Sequence, residues 1–224
     1  DDNSRWNEML ASVSDAVTGK DPAEGARLMV RAGRWYSEKL SRPDFAVACF
    51  TKALSLEAGN DAALEGAAEI YRKAQQWPEL VSVLLKRADA QAAPARAREL
   101  RAEAADLLDA KLNDGKRARD VLEKVLAEDP AQPRAAQALE RIYIAQDDWT
   151  NLVGLLQRKA EALTGAAKAD ALCEIAETYE DRVKDDAKAA ENYERARTVD
   201  DRNVPALKGL ERLYARTGET EKLL

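Results

Sequence analysis

Apolar residues return along this chain at intervals of three and four, the spacing that gathers them on one face of an α-helix. Leu100, Ala104, Leu107, Leu108 and Leu112 make one such stripe, and Asn113-Asp114-Gly115 breaks it. Ala118, Val121, Leu122, Val125 and Leu126 make a second. It stops at Asp129-Pro130-Ala131-Gln132-Pro133, because proline has no amide hydrogen with which to continue a helix. Ala135, Ala138, Leu139, Ile142 and Tyr143 form the third stripe, and Trp149, Leu152, Val153, Leu155 and Leu156 the fourth. Breaks this short predict that each helix runs antiparallel to the next.

This four-helix block recurs. Trp6, Trp77 and Trp149 lie 71 and 72 residues apart, each followed by an apolar pair, Met9-Leu10, Leu80-Val81 and Leu152-Val153. One period later Thr220 takes the tryptophan slot, and Leu223-Leu224 keep the apolar pair. Tyr71, Tyr143 and Tyr214 keep the same beat, as do Ala46, Ala118 and Ala189, and Tyr36, Leu108 and Tyr179. Each stripe is too narrow to close a core alone, so a helix pair must cover its remaining apolar surface with the next pair, which is the logic of a solenoid. The expected organisation is a single array over 1–224, with a partial repeat at 1–20, one unit at 21–91, a second at 92–163 and a truncated third at 164–224. Both ends fall inside a unit and neither has the polar face of a terminal cap, so the expectation is a piece of a longer array.

Half of the unit is close to the 34 residues of a tetratricopeptide repeat. Gly33, Tyr36, Ala46, Phe50 and Ala53 resemble that family's Gly-x2-Tyr and Ala-x3-Phe-x2-Ala signature, with one extra residue between the two parts. Ala118, Leu122, Val125 and Pro130 answer them in the middle unit, and Tyr179, Ala189, Tyr193 and Ala196 in the last. The other half of each unit keeps the tyrosine but has Trp77-x2-Leu80 or Trp149-x2-Leu152 in place of the small-residue signature, so regular and variant repeats alternate. The resemblance implies an all-α fold, a right-handed α-α superhelical solenoid of antiparallel helix pairs with about twelve helices. It also implies that the first helix of each pair lines a concave groove that takes a protein partner. The residues carried onto that groove are Arg27 and Arg34, then Glu65, Glu69 and Arg72, then Glu99, Asp106 and Asp109. Arg134, Gln137 and Arg141 follow, then Asp170, Glu177 and Glu180, and lastly Lys208 and Arg212. These are blocks of alternating sign, a pattern that selects a partner of complementary charge. They are also what any solenoid surface needs simply to stay solvated. The Lys-Asn clamp with which one family subtype holds chaperone tails lacks its asparagines at these positions.

Composition narrows the function classes. The 41 acidic and 35 basic side chains give a formal charge of −6, which disfavours nucleic-acid binding, since that rests on Lys and Arg against phosphate. No apolar run approaches the roughly 20 residues of a membrane helix. Histidine is absent, which removes the commonest general base and metal ligand. Cys49 and Cys173 are too isolated for a disulfide framework or a zinc site and read as small buried residues. Thr18-Gly19-Lys20 lacks the upstream glycine of a phosphate loop. The acid pairs Asp147-Asp148, Asp185-Asp186 and Asp200-Asp201 stand at helix breaks, where capping is their ordinary role and calcium binding or catalysis the sharper one. Trp6, Trp77 and Trp149 read as structural anchors, whereas Trp35, outside the periodic set, is the tryptophan expected to be partly exposed.

The resulting expectation is a protein–protein interaction scaffold, not an enzyme, with no cofactor and no catalytic or metal site. Its partner is another protein, a peptide segment or a domain. A self-assembling array, or the regulatory region of a larger enzyme or signalling protein, are the competing readings. The Ala, Arg and Asp bias suggests a GC-rich bacterial source, and reduced cysteines suggest the cytoplasm, with the periplasm left open. Ala118→Arg should overpack the helix contact that its small-residue slot implies and cost about 1–3 kcal/mol, read as a lowered melting temperature; an unchanged one would remove Ala118 from that contact.

Overall fold

A computed structural model describes residues 21–218, together with positions 8, 11, 12, 15, 17 and 19. Trp6, Thr220 and Leu223-Leu224 lie outside the described residues, as does most of the partial repeat expected at 1–20. The described residues hold eleven α-helices and no strand: α1 (Pro22–Glu38), α2 (Pro43–Leu56), α3 (Asp61–Lys73), α4 (Trp77–Ala90), α5 (Pro94–Ala110), α6 (Gly115–Glu128), α7 (Pro133–Ala145), α8 (Trp149–Glu161), α9 (Gly165–Thr178), α10 (Asp186–Val199) and α11 (Val204–Thr217). A π-helical turn, Tyr179–Val183, prolongs α9. The chain is all-α, as expected. It forms two compact units, Asp1–Val125 and Leu126–Leu224, whose boundary falls inside α6.

Punctuation by residue chemistry explains the helix ends. Pro22, Pro43, Pro78, Pro94, Pro133 and Pro205 all sit in a first turn, where their missing amide hydrogen would have had no partner in any case. Side-chain oxygens of Asp21, Asn60, Gln132, Asp148, Asp185 and Asn203 accept an amide hydrogen three residues on, capping their helices. Two of the three acid pairs thus supply a cap, and Asp200 accepts the amide of Arg202 at 3.1 Å in the next turn.

The odd-numbered helices all end the same way. Ser41, Gln75, Asn113, Asp147, Lys184 and Gly218 follow α1, α3, α5, α7, α9 and α11, and each has φ between 51° and 78°. A left-handed residue turns the chain back sharply enough for the second helix of each pair to lie against the first. Five of these six are not glycine, so their identity gives no warning of it.

In the first unit each helix from α1 to α5 packs on its chain neighbour, and α1 also touches α3. In the second, α7 to α11 do the same, and α9 also touches α11. Within each unit, then, two first helices touch side by side: α1 and α3 in one, α9 and α11 in the other. Most of the predicted stripes are core: Leu100, Ala104 and Leu108, then Ala118, Leu122 and Val125, then Ala135, Leu139 and Ile142, then Leu152, Val153, Leu155 and Leu156 are all buried, whereas Leu107, Leu112, Val121 and Trp149 at the stripe edges are half-buried. Ala46, Ala118 and Ala189 are fully buried. Cys173 is buried as expected, whereas Cys49 is only half-buried; both thiols are free.

The tightest packing is a ring set against glycine. Phe50 of α2 presses on Gly33 of α1, where an added Cβ would stand 2.6 Å from the ring, and even closer on Gly66 of α3. Tyr193 of α10 bears in the same way on Gly209 of α11. One period from Phe50 stands the smaller Leu122, and the slots matching Gly33 and Gly66 there hold Ala105 and Ala138. Knob and notch change size together between these two units, while the third sets Tyr193 against Gly209 with Ala176 in the slot of Gly33. Gly66→Ala should destabilise the protein by about 1–3 kcal/mol, although alanine is the better helix former. Adding Phe50→Leu, which reproduces the middle unit's combination, should recover most of that loss in a double-mutant thermal melt. Additive losses would place the strain elsewhere.

Candidate functional site

The first helices carry the side chains expected to meet a partner, and the structure sorts these by what already holds them. On α1, Arg27 and Arg34 are exposed. On α3, Glu69 is exposed, but Glu65 accepts from Arg87 of α4 at 2.8 Å, and Arg72 donates to Glu103 of α5 at 2.6 Å. Arg87 is buried and also holds Asp61 through two hydrogen bonds of 2.7 and 3.1 Å. That bonding is the main reason the Asp61 carboxyl sits below its ordinary pKa. On α5, Glu99 pairs with Arg96 at 2.8 Å, while Asp106 and Asp109 are half-buried.

In the second unit, Arg134, Gln137 and Arg141 of α7 are exposed, as are Glu177 of α9 and Lys208 of α11. Asp170 accepts from Asn203 at 2.8 Å; the same buried Asn203 caps α11 and accepts from the Cys173 thiol at 3.2 Å. Burial pushes that thiol up to about 11, so it stays protonated. Glu180 is only 3% exposed. Arg212 donates to its two carboxylate oxygens at 2.8 and 2.6 Å, and the Tyr193 hydroxyl donates at 3.3 Å. Arg216 adds an ion pair to Glu180 at 3.5 Å and one to Asp186 at 2.5 Å. Glu180 thus ties the π-helical turn to α10 and α11, a bond made possible by the widened turn and invisible in helical spacing alone.

The three described tryptophans, Trp35, Trp77 and Trp149, are half-buried, each with a cation beside its ring. Lys111 lies 5.6 Å from the Trp77 centroid and Arg182 lies 5.0 Å from that of Trp149. Trp35, expected to be partly exposed, is half-buried, with Arg31 at 5.9 Å. A cleft of about 220 Å³ opens beside Trp149, between α7, α8 and α9. Sequence reasoning missed it, because its walls come from three helices. Among the described residues no cluster of His, Cys, Asp and Glu is placed to hold a metal ion, and no helix is long and apolar enough to cross a membrane.

A family model described as tetratricopeptide repeat matches residues 135–168, which span α7 after its first turn, all of α8 and the start of α9. Over those residues the chain is similar to a tetratricopeptide repeat. The matched segment is one of the variant halves, and the Trp149-x2-Leu152 form falls within it. Among solved structures, this chain is similar to a chain of a Naa15/Naa10 complex bound to HypK-THB, at 13% identity and a TM-score of 0.57. That match covers 98% of this chain and 35% of the other, and shows the fold. YrrB, described as a TPR protein with an unusual peptide-binding site, is 18% identical over 89% of this chain and 97% of its own, with a TM-score of 0.44. PilF of Pseudomonas aeruginosa is 13% identical over 96% and 91%, with a TM-score of 0.40. A comparison with curated proteins gives no match.

Hydrogen bonding from Arg212 is the main cause holding the Glu180 carboxyl below its ordinary value, outweighing the opposing effect of burial. A carboxylate depressed on folding stabilises the native state above its unfolded pKa of about 4.3, and that contribution is lost as pH falls through the folded value. Glu180→Gln should therefore cost about 1.5–3 kcal/mol at pH 7. The gap to wild type should narrow in melts taken from pH 5 down to pH 3. A gap that widens on acidification would contradict the assignment.

Proposed function

We propose that this chain is a protein–protein interaction scaffold that receives a partner's segment or domain on the exposed faces of its first helices. The observation that carries the reading is the set of exposed charged side chains there that no neighbouring helix has taken up. Arg27 and Arg34 on α1, Glu69 on α3, and Arg141 on α7 are exposed in blocks of opposite sign. Fixed charges on rigid helices select a partner by complementarity and reject others by like-charge contact. Glu65, Arg72, Asp170, Glu180 and Arg212, by contrast, are held by other parts of the chain and act by keeping the helices in place. The reading assigns no reaction to the chain, and free, protonated thiols accord with the reducing cytoplasm.

Exposed rims change association without disturbing the core, so the test uses them. Wild-type protein and Arg34→Glu/Glu69→Arg/Arg141→Glu, both folded by circular dichroism, serve as parallel baits in a lysate pull-down read by mass spectrometry. A partner held by the wild type should be lost from the triple variant. Capture of the same proteins by both baits would move binding off these faces. Light scattering across concentration checks the competing self-assembled array, for which mass would rise with concentration.

A further inference from the structure

Two matching sites in the chain differ in one informative way. Trp77 and Trp149 occupy the same slot of the repeat, each with a cation by its ring, Lys111 and Arg182. Glu103 and Glu174 also match, at a spacing of 71 residues. In the first site Arg72 reaches from α3 and bonds Glu103 at 2.6 Å. In the second, the slot of Arg72 holds Ile144, which is 48% exposed. Glu174 has thereby lost the cation that its counterpart keeps. Acid has been added as well, since Glu140 stands in the slot of Ala68 and Asp181 in that of Ala110.

The result is the cleft of about 220 Å³ between α7, α8 and α9. Its floor is apolar, with Ile144, Trp149 and Leu152, and its rim is acidic, with Glu140, Glu174, Glu177 and Asp181. Lys159 meets Glu140 at 3.5 Å, and Arg182 is spread on Trp149, so these two cations face four carboxylates. Partial burial is the main cause raising the Glu174 carboxyl, Lys159 opposes it, and the nearby charges of Glu140 and Glu177 raise it further. The site favours a group with an apolar stem and a positive head.

We propose that this cleft binds an arginine side chain of a basic partner segment, whose guanidinium takes the place beside Glu174 that Arg72 occupies beside Glu103. A planar fork of donors can bond two carboxylates at once, which an ammonium does less well, while the arginine's methylenes cover Ile144. The proposal rests on the reading that the first-helix faces receive a protein segment, and names the chemistry of that segment.

The probe is a fluorescein-labelled peptide with Leu-Arg-Leu-Arg-Leu between Gly-Ser flanks, titrated with the whole chain and read by anisotropy at low salt. Lysine should weaken binding, and citrulline, which keeps the shape and loses the charge, should weaken it by about tenfold or more. Ile144→Arg restores the first site's internal partner and should block the peptide, while Glu38→Gln, an equal charge change on α1, should leave binding intact. Glu174→Gln and Glu177→Gln should each weaken it, which keeps the test decisive should Ile144→Arg fold poorly. Equal binding of arginine and citrulline peptides, no binding of either, or full binding by Glu174→Gln and Glu177→Gln would overturn the proposal. If the peptide fails while the pull-down still yields a partner lost on charge reversal, the cleft assignment alone falls. If both fail, the reading of the first-helix faces falls with it.

Discussion

Everything in this chain depends on one constraint: a helix with a narrow apolar stripe must find its cover on the next helix. No single pair encloses a core, so each contact between neighbours has to be close enough to exclude water by itself. The ring of Phe50 against Gly33 and Gly66, and that of Tyr193 against Gly209, show how little room is left. Where the knob shrinks to Leu122, alanine replaces glycine in the matching slots. The repeat is therefore held by a volume rule more than by residue identity, which is how regular and variant halves serve in one array.

The same rule exposes charge. Once the stripe is buried, each first helix presents a polar face, and its charges either bond a neighbouring helix or remain available. Arg87 gathers Asp61 and Glu65 across α3 and α4, and Glu180 gathers Arg212 and Tyr193 across the π-helical turn, α10 and α11. Such pairs are nearly or partly sheltered, and losing one member leaves the other unsatisfied. Charges with no such engagement, such as Arg34 and Glu69, stay exposed to solvent. The exchange of Arg72 for Ile144 shows a position crossing from the first class to the second, taking a satisfied acid and leaving it with an open cleft.

The helices and the core were readable almost residue by residue. Leu122, Val125, Leu139, Ile142, Leu152 and Leu156 follow helical spacing, and all are buried. Proline in the first turns and Asp or Asn just before them fixed most starts. The stops were less legible, because a left-handed turn usually announces itself as glycine, and here Ser41, Gln75, Asn113, Asp147 and Lys184 adopt it. The residues expected to line a groove were legible as a face but not in what holds them. Spacing placed Glu69 and Glu180 on the same kind of surface, yet one stands in solvent and the other is buried beneath two arginines.

By itself, then, the sequence determined the period, the helices, their antiparallel order and the apolar layer, since all of these follow from spacing along one chain and from the local chemistry of caps and proline. Tertiary structure decided which charges are spent inside the protein and where a cleft opens. Those outcomes depend on distances between residues some twenty to thirty positions apart, such as Arg87 with Asp61 and Arg212 with Glu180, and on how far one helix turn widens. Helical periodicity says which side a residue lies on; it does not say what lies across from it.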